Sequence, residues 1–212
     1  MKILVVGATS LELEYMNEIQ TSGNNIVIKK VLGVGQVPTT YFLSNQIESQ
    51  IPDLIIQIGI AGTFLNDIPL GEVLAVESER MADLGVEENK SFQSIFDLKL
   101  MDDNNFPFTN RQLINPHQHL FQKTNLKKVS AITVNEISTS PERISYYQKQ
   151  YNPALESMEG AAFHYCCIMK NIPFIQIRGA SNYVGERDKS KWRIEAALEA
   201  VAKSTQELIY NI

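Results

Sequence analysis

Two adjacent segments in the last third of the chain are so apolar that both must lie in the interior of the protein. Residues 160–169 are nearly all small or apolar, which predicts a helix buried on every side. Residues 171–173, Asn-Ile-Pro, end that helix because proline has no N–H group to continue its hydrogen bonds. Residues 174–177 form an apolar run that predicts a strand covered on both faces, as in a parallel sheet. A buried helix beside such a strand requires layers of helices around a sheet.

The same two kinds of element alternate along the rest of the chain. Strands are predicted at residues 2–6, 26–34, 54–58, 73–78, 128–134 and 174–177. Helices are predicted at residues 11–19, 35–49, 111–122, 141–151, 160–169 and 192–208. Ser10 and Ser140 are the predicted N-caps of the first and fourth helices. The alternation predicts an α/β fold with three layers, in which helices flank a mixed, largely parallel, twisted sheet, and residues 1–212 form a single domain.

Three segments fall outside this alternation. Residues 59–63 contain two glycines and predict a turn at the end of the third strand, where the backbone can approach a ligand closely. Residues 81–110 are polar and irregular and support no assignment. Residues 183–191 are charged and contain a glycine, which predicts a mobile loop.

The composition excludes several classes of function. The chain has 212 residues and a formal net charge of -5, so it lacks the basic surface that binds nucleic acid. Its apolar start is too short for a secretion signal or a membrane span, which predicts a cytoplasmic protein without membrane partners. Cys166 and Cys167 are adjacent within the buried helix, and the histidines form no metal-ligand spacing with them. We therefore expect neither a metal nor another cofactor.

Polar residues follow several predicted strands at their carboxyl ends, where ligands bind in open α/β sheets. Glu12 follows the first strand, residues 59–63 follow the third, and Ser181 and Asn182 end the last. Glu159 stands where an extended segment meets the buried helix, and a carboxylate there is costly unless donors such as sugar hydroxyls bind it. The alternative for Glu159 is an interaction with the N-terminus of its own helix.

The order and spacing of these segments resemble the nucleoside phosphorylase and nucleosidase superfamily. The matching segments are Met1-Lys2-Ile3 to Gly7-Ala8 with Glu12, Gly59-Ile60-Ala61-Gly62, Leu70-Gly71-Glu72-Val73-Leu74, Met158-Glu159-Gly160-Ala161-Ala162, and Ile177-Arg178 leading to Ser181-Asn182. They cover essentially the whole chain, and the Met-Glu-Gly-Ala-Ala block before an Ile-Arg strand is a specific signal. The resemblance implies a nucleoside phosphorylase-like fold and a small purine nucleoside as the binding partner.

Two further features are similar to the futalosine hydrolases of that superfamily. Residues 81–87 contain Ala-Asp-Leu-Gly, and Asn182 stands where nucleosidases that release adenine carry Asp. The resemblance implies hydrolysis of futalosine to hypoxanthine and dehypoxanthinyl futalosine. The alternatives are a methylthioadenosine/S-adenosylhomocysteine nucleosidase, then a purine nucleoside phosphorylase. A nucleoside-binding protein without activity would be expected to lack Glu12 or Glu159, and both are present.

The resemblance also implies roles for individual residues. Glu12 is expected to act as general base on the attacking water, and Glu159 to bind the ribose hydroxyls with Met158 packed on the sugar. Asn182 is expected to hydrogen-bond N7 or O6 of the base, or to accept from an N–H of a 6-oxopurine. The other expected substrate-binding residues are Ile60, Ala61, Gly62 and Ser181. In the alternatives, Glu12 is an exposed residue of an amphipathic helix and Asn182 shapes the turn after its strand.

The first arginine of the chain is Arg80, which favours water over phosphate as the nucleophile. Phosphorylases of the superfamily place arginines beside the first turn and before the glycine turn, where this chain has Gln57. The aryl-keto-carboxylate of futalosine needs apolar walls and a cation. The candidates are Phe64, Phe106, Phe108, Tyr183 and Trp192 for the walls, and Arg80, Arg187 and Arg193 for the cation. Homo-oligomers are common in the superfamily, which implies a homodimer or a higher homo-oligomer.

Overall fold

The computed structural model describes residues 1–16, 21, 24–89 and 91–212. The strands of this part of the chain are β1 (Lys2–Gly7), β2 (Ile26–Val31), β3 (Leu54–Thr63), β4 (Val73–Met81), β5 (Gly85–Glu88), β6 (Ser91–Ser94), β7 (Leu113–Ile114), β8 (Lys127–Thr133), β9 (Leu155–Ser157) and β10 (Phe174–Tyr183). The helices are α1 (Ser10–Glu14), α2 (Gln36–Ser49), α3 (Gln118–Phe121), α4 (Pro141–Tyr151), α5 (Gly160–Met169) and α6 (Ile194–Asn211). None of the described helices is long and apolar enough to cross a membrane.

Most of the strands belong to one mixed sheet. β2, β1, β3 and β10 are parallel neighbours, β4 runs antiparallel to β10, and β8 and β9 continue parallel to β4. β9 then pairs antiparallel with the last two residues of β3. The strands β3, β10, β4, β8 and β9 therefore close into a ring, and β1 and β2 extend the sheet beside the first half of β3. β7 adds to β4, and β5 and β6 form a separate hairpin.

The alternating side chains of β3 explain the three layers. Leu54, Ile56 and Ile58 pack in a core with α1, α3 and α6, whereas Ile55 packs on the opposite face with α2 and α5. A third cluster takes small and branched side chains from all five strands of the ring. The sheet is thus covered on both faces, as the apolar segments predict, and the protein has an α/β fold with a mixed sheet flanked by helices.

Several predicted elements are confirmed. The helices at residues 141–151 and 160–169 have the predicted bounds, and the Ser140 hydroxyl accepts a hydrogen bond from the N–H of Arg143 as an N-cap should. Cys166 and Cys167 are free thiols inside α5. The side chains of β10 are buried from Phe174 to Ser181, and the last two residues of the strand are half-buried.

The prediction of a turn at residues 59–63 is wrong. β3 continues to Thr63 because β10 and β9 pair with these residues on its two sides. The first predicted helix is shorter than residues 11–19, and its N-cap is Thr9 and not Ser10. The predicted end of that helix, residues 17–19, lies outside the described residues.

Four other segments differ from the prediction or add to it. β2 ends at Val31 and not at residue 34. Residues 111–122 contain β7 and only the four-residue α3, because Leu113 pairs with β4. Residues 81–110, which had no assignment, contain the β5–β6 hairpin followed by turns. β10 extends to Tyr183, and a 3-10 turn follows at Lys189–Lys191; the mobility of residues 183–191 stays a prediction.

Candidate active site

A cleft of about 230 Å³ opens where β1 and β10 end. The residues predicted to form the site all line this cleft: Glu12, Ile60, Ala61, Gly62, Met158, Glu159, Ser181 and Asn182. Two other cavities, of about 290 and 250 Å³, lie beside α4, but the carboxylates that line them are exposed. The cleft is therefore the candidate site, because it gathers buried ionisable side chains.

Two strands approach β3 from opposite directions and end on either side of Gly59. β1 pairs with residues 54–57 of β3, and β9 pairs with residues 62–63. Their carboxyl ends therefore face each other along the same side of β3. The residues that follow them, Glu12 on α1 and Glu159 before α5, meet over the gap.

Gly59 leaves the space in which these side chains meet. Arg178 on β10 is its register partner. A Cβ atom at position 59 would overlap the guanidinium of Arg178 and the carboxylate of Glu12. We call Glu12, Glu159 and Arg178 the Gly59 end of the cleft.

Glu12 is fixed by the first turn of α1. Its Oε2 accepts hydrogen bonds from the N–H groups of Ala8 at 2.7 Å and Thr9 at 2.9 Å, and the Thr9 hydroxyl accepts from the N–H of Glu12 in return. Its Oε1 has no hydrogen-bond partner among the residues that the structure describes. The alternative of an exposed Glu12 is wrong, since 8% of its surface is exposed.

The burial of Glu12 has an electrostatic consequence. Burial raises the pKa of its carboxyl group and outweighs the lowering by Arg178 and by the N–H groups of Thr9 and Ala8. The nearby Glu159 raises it further. A carboxylate with one unoccupied oxygen and a raised pKa is a stronger base than an ordinary glutamate and is suited to accept a proton.

The first N–H groups of α5 are satisfied without the side chain of Glu159. Ser157 Oγ accepts a hydrogen bond from the N–H of Gly160 at 3.3 Å, and Thr133 Oγ1 accepts from the N–H of Ala161 at 2.7 Å. Glu159 is the N-cap residue by position, but its side chain makes no capping hydrogen bond. Glu159 therefore does not hydrogen-bond its own helix, and an electrostatic interaction with that N-terminus is the part of the alternative that stays open.

The carboxylate of Glu159 instead accepts a hydrogen bond from one distant segment and forms an ion pair with another. Its Oε1 accepts a hydrogen bond from the N–H of Gly35, before α2, at 3.0 Å. Its Oε2 lies 3.5 Å from Nη2 of Arg178. Glu159 lines the cleft and is 6% exposed, so its carboxylate is largely desolvated.

Arg178 is a residue of the Gly59 end for which the sequence predicts no role. It is 1% exposed, and its Nε and Nη2 atoms make no hydrogen bond with any residue in the described ranges. Its charge lies between those of Glu12 and Glu159. The sequence does contain one indication of its importance. An arginine inside a strand that is covered on both faces requires partners for its charge.

A third buried acid, Glu79, packs against the start of α5 next to this end. Glu79 on β4 is fully buried and accepts hydrogen bonds from Gln176 Nε2 at 2.9 Å and from the Thr133 hydroxyl at 3.0 Å. A Cβ atom at Gly160 would overlap its carboxylate, so the start of α5 rests directly on it. Burial raises the pKa of Glu79 to about 7 and outweighs the lowering by these two hydrogen bonds and by Arg178.

The opposite end of the cleft surrounds Gly62, three residues further along β3. Here the Ser181 hydroxyl donates to Asn182 Oδ1 at 2.8 Å, and Asn182 Nδ2 donates to the carbonyl oxygen of Tyr183 at 3.0 Å. Asn182 belongs to β10, and the Tyr183 carbonyl oxygen to which it donates also accepts from the N–H of Glu186 in the turn that follows the strand, so the alternative in which Asn182 shapes that turn stays open. Glu156 on β9 also lines this region and was not predicted. We call Glu156, Ser181 and Asn182 the Gly62 end.

Arg187 and Trp192 are the members of the predicted 5′ set that line the cleft. The Arg187 guanidinium lies 5.5 Å from the centre of the Trp192 ring, and the Trp192 N–H donates to the carbonyl oxygen of Glu186 at 3.1 Å. Arg80 lies in a different cavity, 5.4 Å from the ring centre of Tyr151. The remaining candidates do not line the cleft: Phe64, Phe106, Phe108, Tyr183 and Arg193.

Several known proteins are similar to this chain in sequence or in fold. Residues 3–212 match the model of the Phosphorylase superfamily. The futalosine hydrolase of Thermus thermophilus is 30% identical over 179 residues, which cover 84% of this chain and 78% of that protein. A 5'-methylthioadenosine/S-adenosylhomocysteine nucleosidase of Aeromonas salmonicida is 23% identical over 232 residues, covering 100% of this chain and 98% of that protein. The solved structure of futalosine hydrolase from Helicobacter pylori has a TM-score of 0.80 at 16% identity, covering 99% of this chain and 97% of its own.

Proposed function

The chain belongs to the phosphorylase superfamily, and we propose that it is an N-glycosyl hydrolase that cleaves futalosine into hypoxanthine and dehypoxanthinyl futalosine. The observation that carries this proposal is the meeting of two buried carboxylates, Glu12 and Glu159, beside Arg178 in one cleft. The similarity to the Thermus thermophilus enzyme supports the choice of substrate.

Glu12 acts as the general base in this proposal. Its Oε1 takes a proton from water while the water oxygen bonds to C1′ of the ribose and the bond from C1′ to the base nitrogen breaks. The bonding electrons leave with the base, which is released as hypoxanthine after taking up a proton. A positioned base with a pKa near the working pH contributes about 10²–10⁴-fold to rate. Oε2 holds the side chain through Ala8 and Thr9, which leaves Oε1 for the water.

Glu159 binds the ribose, in which positive charge develops as the base leaves. Its Oε2 accepts from the sugar hydroxyls, and Met158 packs on the sugar ring. A carboxylate fixed by Gly35 and by Arg178 needs no reorganisation when that charge grows, which favours the transition state over the bound substrate.

Asn182 donates from Nδ2 to N7 or O6 of the departing base. One Nδ2 hydrogen bonds to Tyr183, and the second is available to the base. Exchange for Asp removes this neutral donor and requires a proton on the carboxylate to restore it. We expect Asn182→Asp to shift the ratio of kcat/KM toward adenine nucleosides by roughly tenfold, about 1.4 kcal/mol. Unchanged base selectivity in a folded Asn182→Asp protein would count against this role.

Water is the nucleophile in preference to phosphate. Two carboxylates face the position that an attacking phosphate would occupy, and their repulsion disfavours a second anion there. The arginine beside them is already close to Glu159, and Gln57 in the neighbouring part of β3 is buried and uncharged. These features support hydrolysis.

Arg187 and Trp192 are the proposed contacts for the 5′ end of futalosine. The indole supplies an apolar wall and the guanidinium meets the carboxylate. Closure of residues 183–191 over the substrate would exclude water from this side. Slower hydrogen exchange in that segment with a bound substrate analogue is the expected sign of closure.

The wider setting follows from the proposed substrate. A futalosine hydrolase acts in menaquinone biosynthesis, and we propose that this chain does so in the cytoplasm as a homodimer or higher homo-oligomer. A methylthioadenosine/S-adenosylhomocysteine nucleosidase is the second candidate, because the relative from Aeromonas salmonicida matches along the full chain at lower identity.

A parallel assay in phosphate-free buffer tests the proposal. Purified protein is incubated with futalosine, inosine or methylthioadenosine, and the free base is measured by chromatography. We expect hypoxanthine from futalosine, with little release from the other two nucleosides. Adenine from methylthioadenosine would establish the second candidate instead, and turnover that depends on added phosphate would identify a phosphorylase.

A further inference from the structure

Glu156 is a buried carboxylate in the cleft to which the proposed reaction gives no role. It is the middle residue of β9 and is 7% exposed. Its Oε1 accepts a hydrogen bond from the N–H of Ser138 at 3.1 Å, whereas its Oε2 is buried and has no hydrogen-bond partner within the described part of the chain. Burial raises the pKa of Glu156 against the lowering by Ser138. A buried oxygen without a hydrogen-bond donor, such as Oε2 of Glu156, destabilises the free protein unless a ligand donates to it.

Glu156 and Asn182 flank the same residue of β3. Gly62 pairs with Glu156 on β9 and with Asn182 on β10. Neighbouring strands lie about 4.8 Å apart, so about 10 Å separates the two Cα atoms across Gly62. Gly62 has no side chain, and Asn182 Nδ2 lies only 3.4 Å from the position that its Cβ would occupy. Val184 Cγ2 comes within 3.0 Å of the same position. Glu156, Gly62, Asn182 and Val184 all line the cleft, so a flat ligand between the two polar side chains would pack against Val184.

The hydrogen bonds of Asn182 leave it mainly a donor. Its Oδ1 already accepts from the Ser181 hydroxyl, and one Nδ2 hydrogen is bonded to Tyr183. The remaining Nδ2 hydrogen can bind N7 or O6 of a purine. A 6-oxopurine also carries a hydrogen on N1, which requires a separate acceptor on the other side of O6.

We infer that Oε2 of Glu156 accepts this hydrogen bond from N1–H and thereby sets the base selectivity of the cleft. The inference rests on the proposed function, because it assumes a purine at the Gly62 end. N1 of adenine carries no hydrogen, so its lone pair would face the carboxylate and be repelled. Asn182, the residue from which the sequence predicts the purine, then supplies only one of the two hydrogen bonds that select the base.

Binding of free bases measures this selectivity without turnover. In isothermal titration calorimetry with hypoxanthine and adenine, we expect the parent protein to prefer hypoxanthine. Glu156→Gln can keep the bond to Ser138 through its oxygen, but its N–H group points at N1–H. The affinity ratio should fall by roughly 10- to 100-fold, the value of a hydrogen bond to a charged group. Glu136→Gln, in the exposed segment beside Ser138, is the matched control and should keep the parent ratio. An equal ratio in Glu156→Gln and the parent protein would overturn the inference.

A ligand change gives a test that does not depend on how the Gln variant folds. 1-Methylhypoxanthine replaces the N1 hydrogen by a methyl group and should bind the parent protein at least about tenfold more weakly than hypoxanthine. In Glu156→Ala, which removes the acceptor and makes room for the methyl group, the two bases should bind alike. Equal binding of the two bases by the parent protein would contradict a contact at N1.

The two proposals can fail separately. If futalosine is not hydrolysed but the hypoxanthine preference collapses in Glu156→Gln, the inference stands and the proposed reaction falls. If futalosine is hydrolysed and Glu156→Gln keeps the parent ratio, the reaction stands and the inference falls.

Discussion

The Gly59 and Gly62 ends of the cleft lie three residues apart on one strand, yet they are built differently. At the Gly59 end, Glu12 and Glu159 are each fixed by backbone N–H groups and share one buried arginine. At the Gly62 end, Ser181 and Asn182 bond mainly to their own neighbours, and one oxygen of Glu156 has no hydrogen-bond partner in the described residues. Each end also keeps an acceptor oxygen without a hydrogen-bond partner in the described residues, Oε1 of Glu12 and Oε2 of Glu156. The ends differ in charge: two carboxylates beside an arginine suit a reaction in which charge develops, whereas the uncharged Ser181 and Asn182 suit the recognition of a base.

Replacement of Glu12 should have the largest effect. Glu12→Gln keeps an oxygen for the N–H groups of Ala8 and Thr9 but cannot accept a proton, so kcat for futalosine should fall by about 10²–10⁴-fold. Hypoxanthine release under initial-rate conditions measures this loss. Glu14→Gln, on the exposed side of the same helix, is the control.

The pH profile gives the same prediction a second readout. Because burial raises the pKa of Glu12, the parent activity should fall as pH drops through a value above the ordinary range of glutamate. Glu12→Gln should lack this acid limb. Full turnover in Glu12→Gln would mean that the Gly59 end does not carry the reaction.

The next prediction is that Glu79, the buried acid next to the Gly59 end, is protonated and uncharged in the folded protein. Its pKa is raised from 4.5 to about 7, so between these values the native state holds a proton that the unfolded state has released. Stability from this group is present below pH 4.5 and is lost as pH rises through 7. The difference corresponds to about 3 kcal/mol.

Urea unfolding across this pH range measures the effect. The free energy of unfolding of Glu79→Gln, relative to the parent protein, should rise with pH by an amount of that order. Glu77→Gln, whose ion pair with Lys128 is partly exposed, should show no such trend. A constant difference between Glu79→Gln and the parent protein would show that the acid is ionised throughout.

The two glycines allow a direct comparison of the two ends. A Cβ atom at Gly59 would overlap fixed groups of Arg178 and Glu12, whereas one at Gly62 would lie 3.0 Å from Val184 Cγ2 and 3.4 Å from Asn182 Nδ2. Gly59→Ala should lower the free energy of unfolding by about 1–3 kcal/mol and kcat by roughly 100-fold. Gly62→Ala should lower stability by about 0.5–1 kcal/mol and act mainly on affinity for the base. Similar losses in both variants would remove the distinction between the ends.

The sequence predicts the elements that surround the cleft better than the strand that runs through it. The sequence predicts α5 and β10 because both are continuous apolar runs, and such runs are stable only in the interior of the protein. The extension of β3 through residues 59–63 depends on pairing with β9 and β10, which begin about ninety positions or more further along the chain. Local glycine signals predict a turn there, and tertiary pairing overrides them.

The site shows the same division. Glu12, Glu159 and Asn182 can be picked out because each follows an apolar element and stands in a resembling motif. Glu156 cannot, because it sits in a three-residue strand whose register with Gly62 is not visible in the sequence. Arg178 has a role only because Glu12 and Glu159, from two distant segments, come together beside Gly59. From the sequence, its charge indicates only that a buried arginine needs partners.

The smallest expected effect concerns a third region, the 5′ contact, which belongs to neither end. Arg187 is exposed, so its attraction for the substrate carboxylate is screened by water and amounts to about 0–1 kcal/mol. Arg187→Ala should therefore raise KM for futalosine by up to about fivefold and leave kcat unchanged. Inosine has no carboxylate, so its KM should not change, and Arg193→Ala, which does not line the cleft, should match the parent protein for both nucleosides. An equal rise of KM for inosine would mean that Arg187 acts through the packing of Trp192 on the cleft and not through charge.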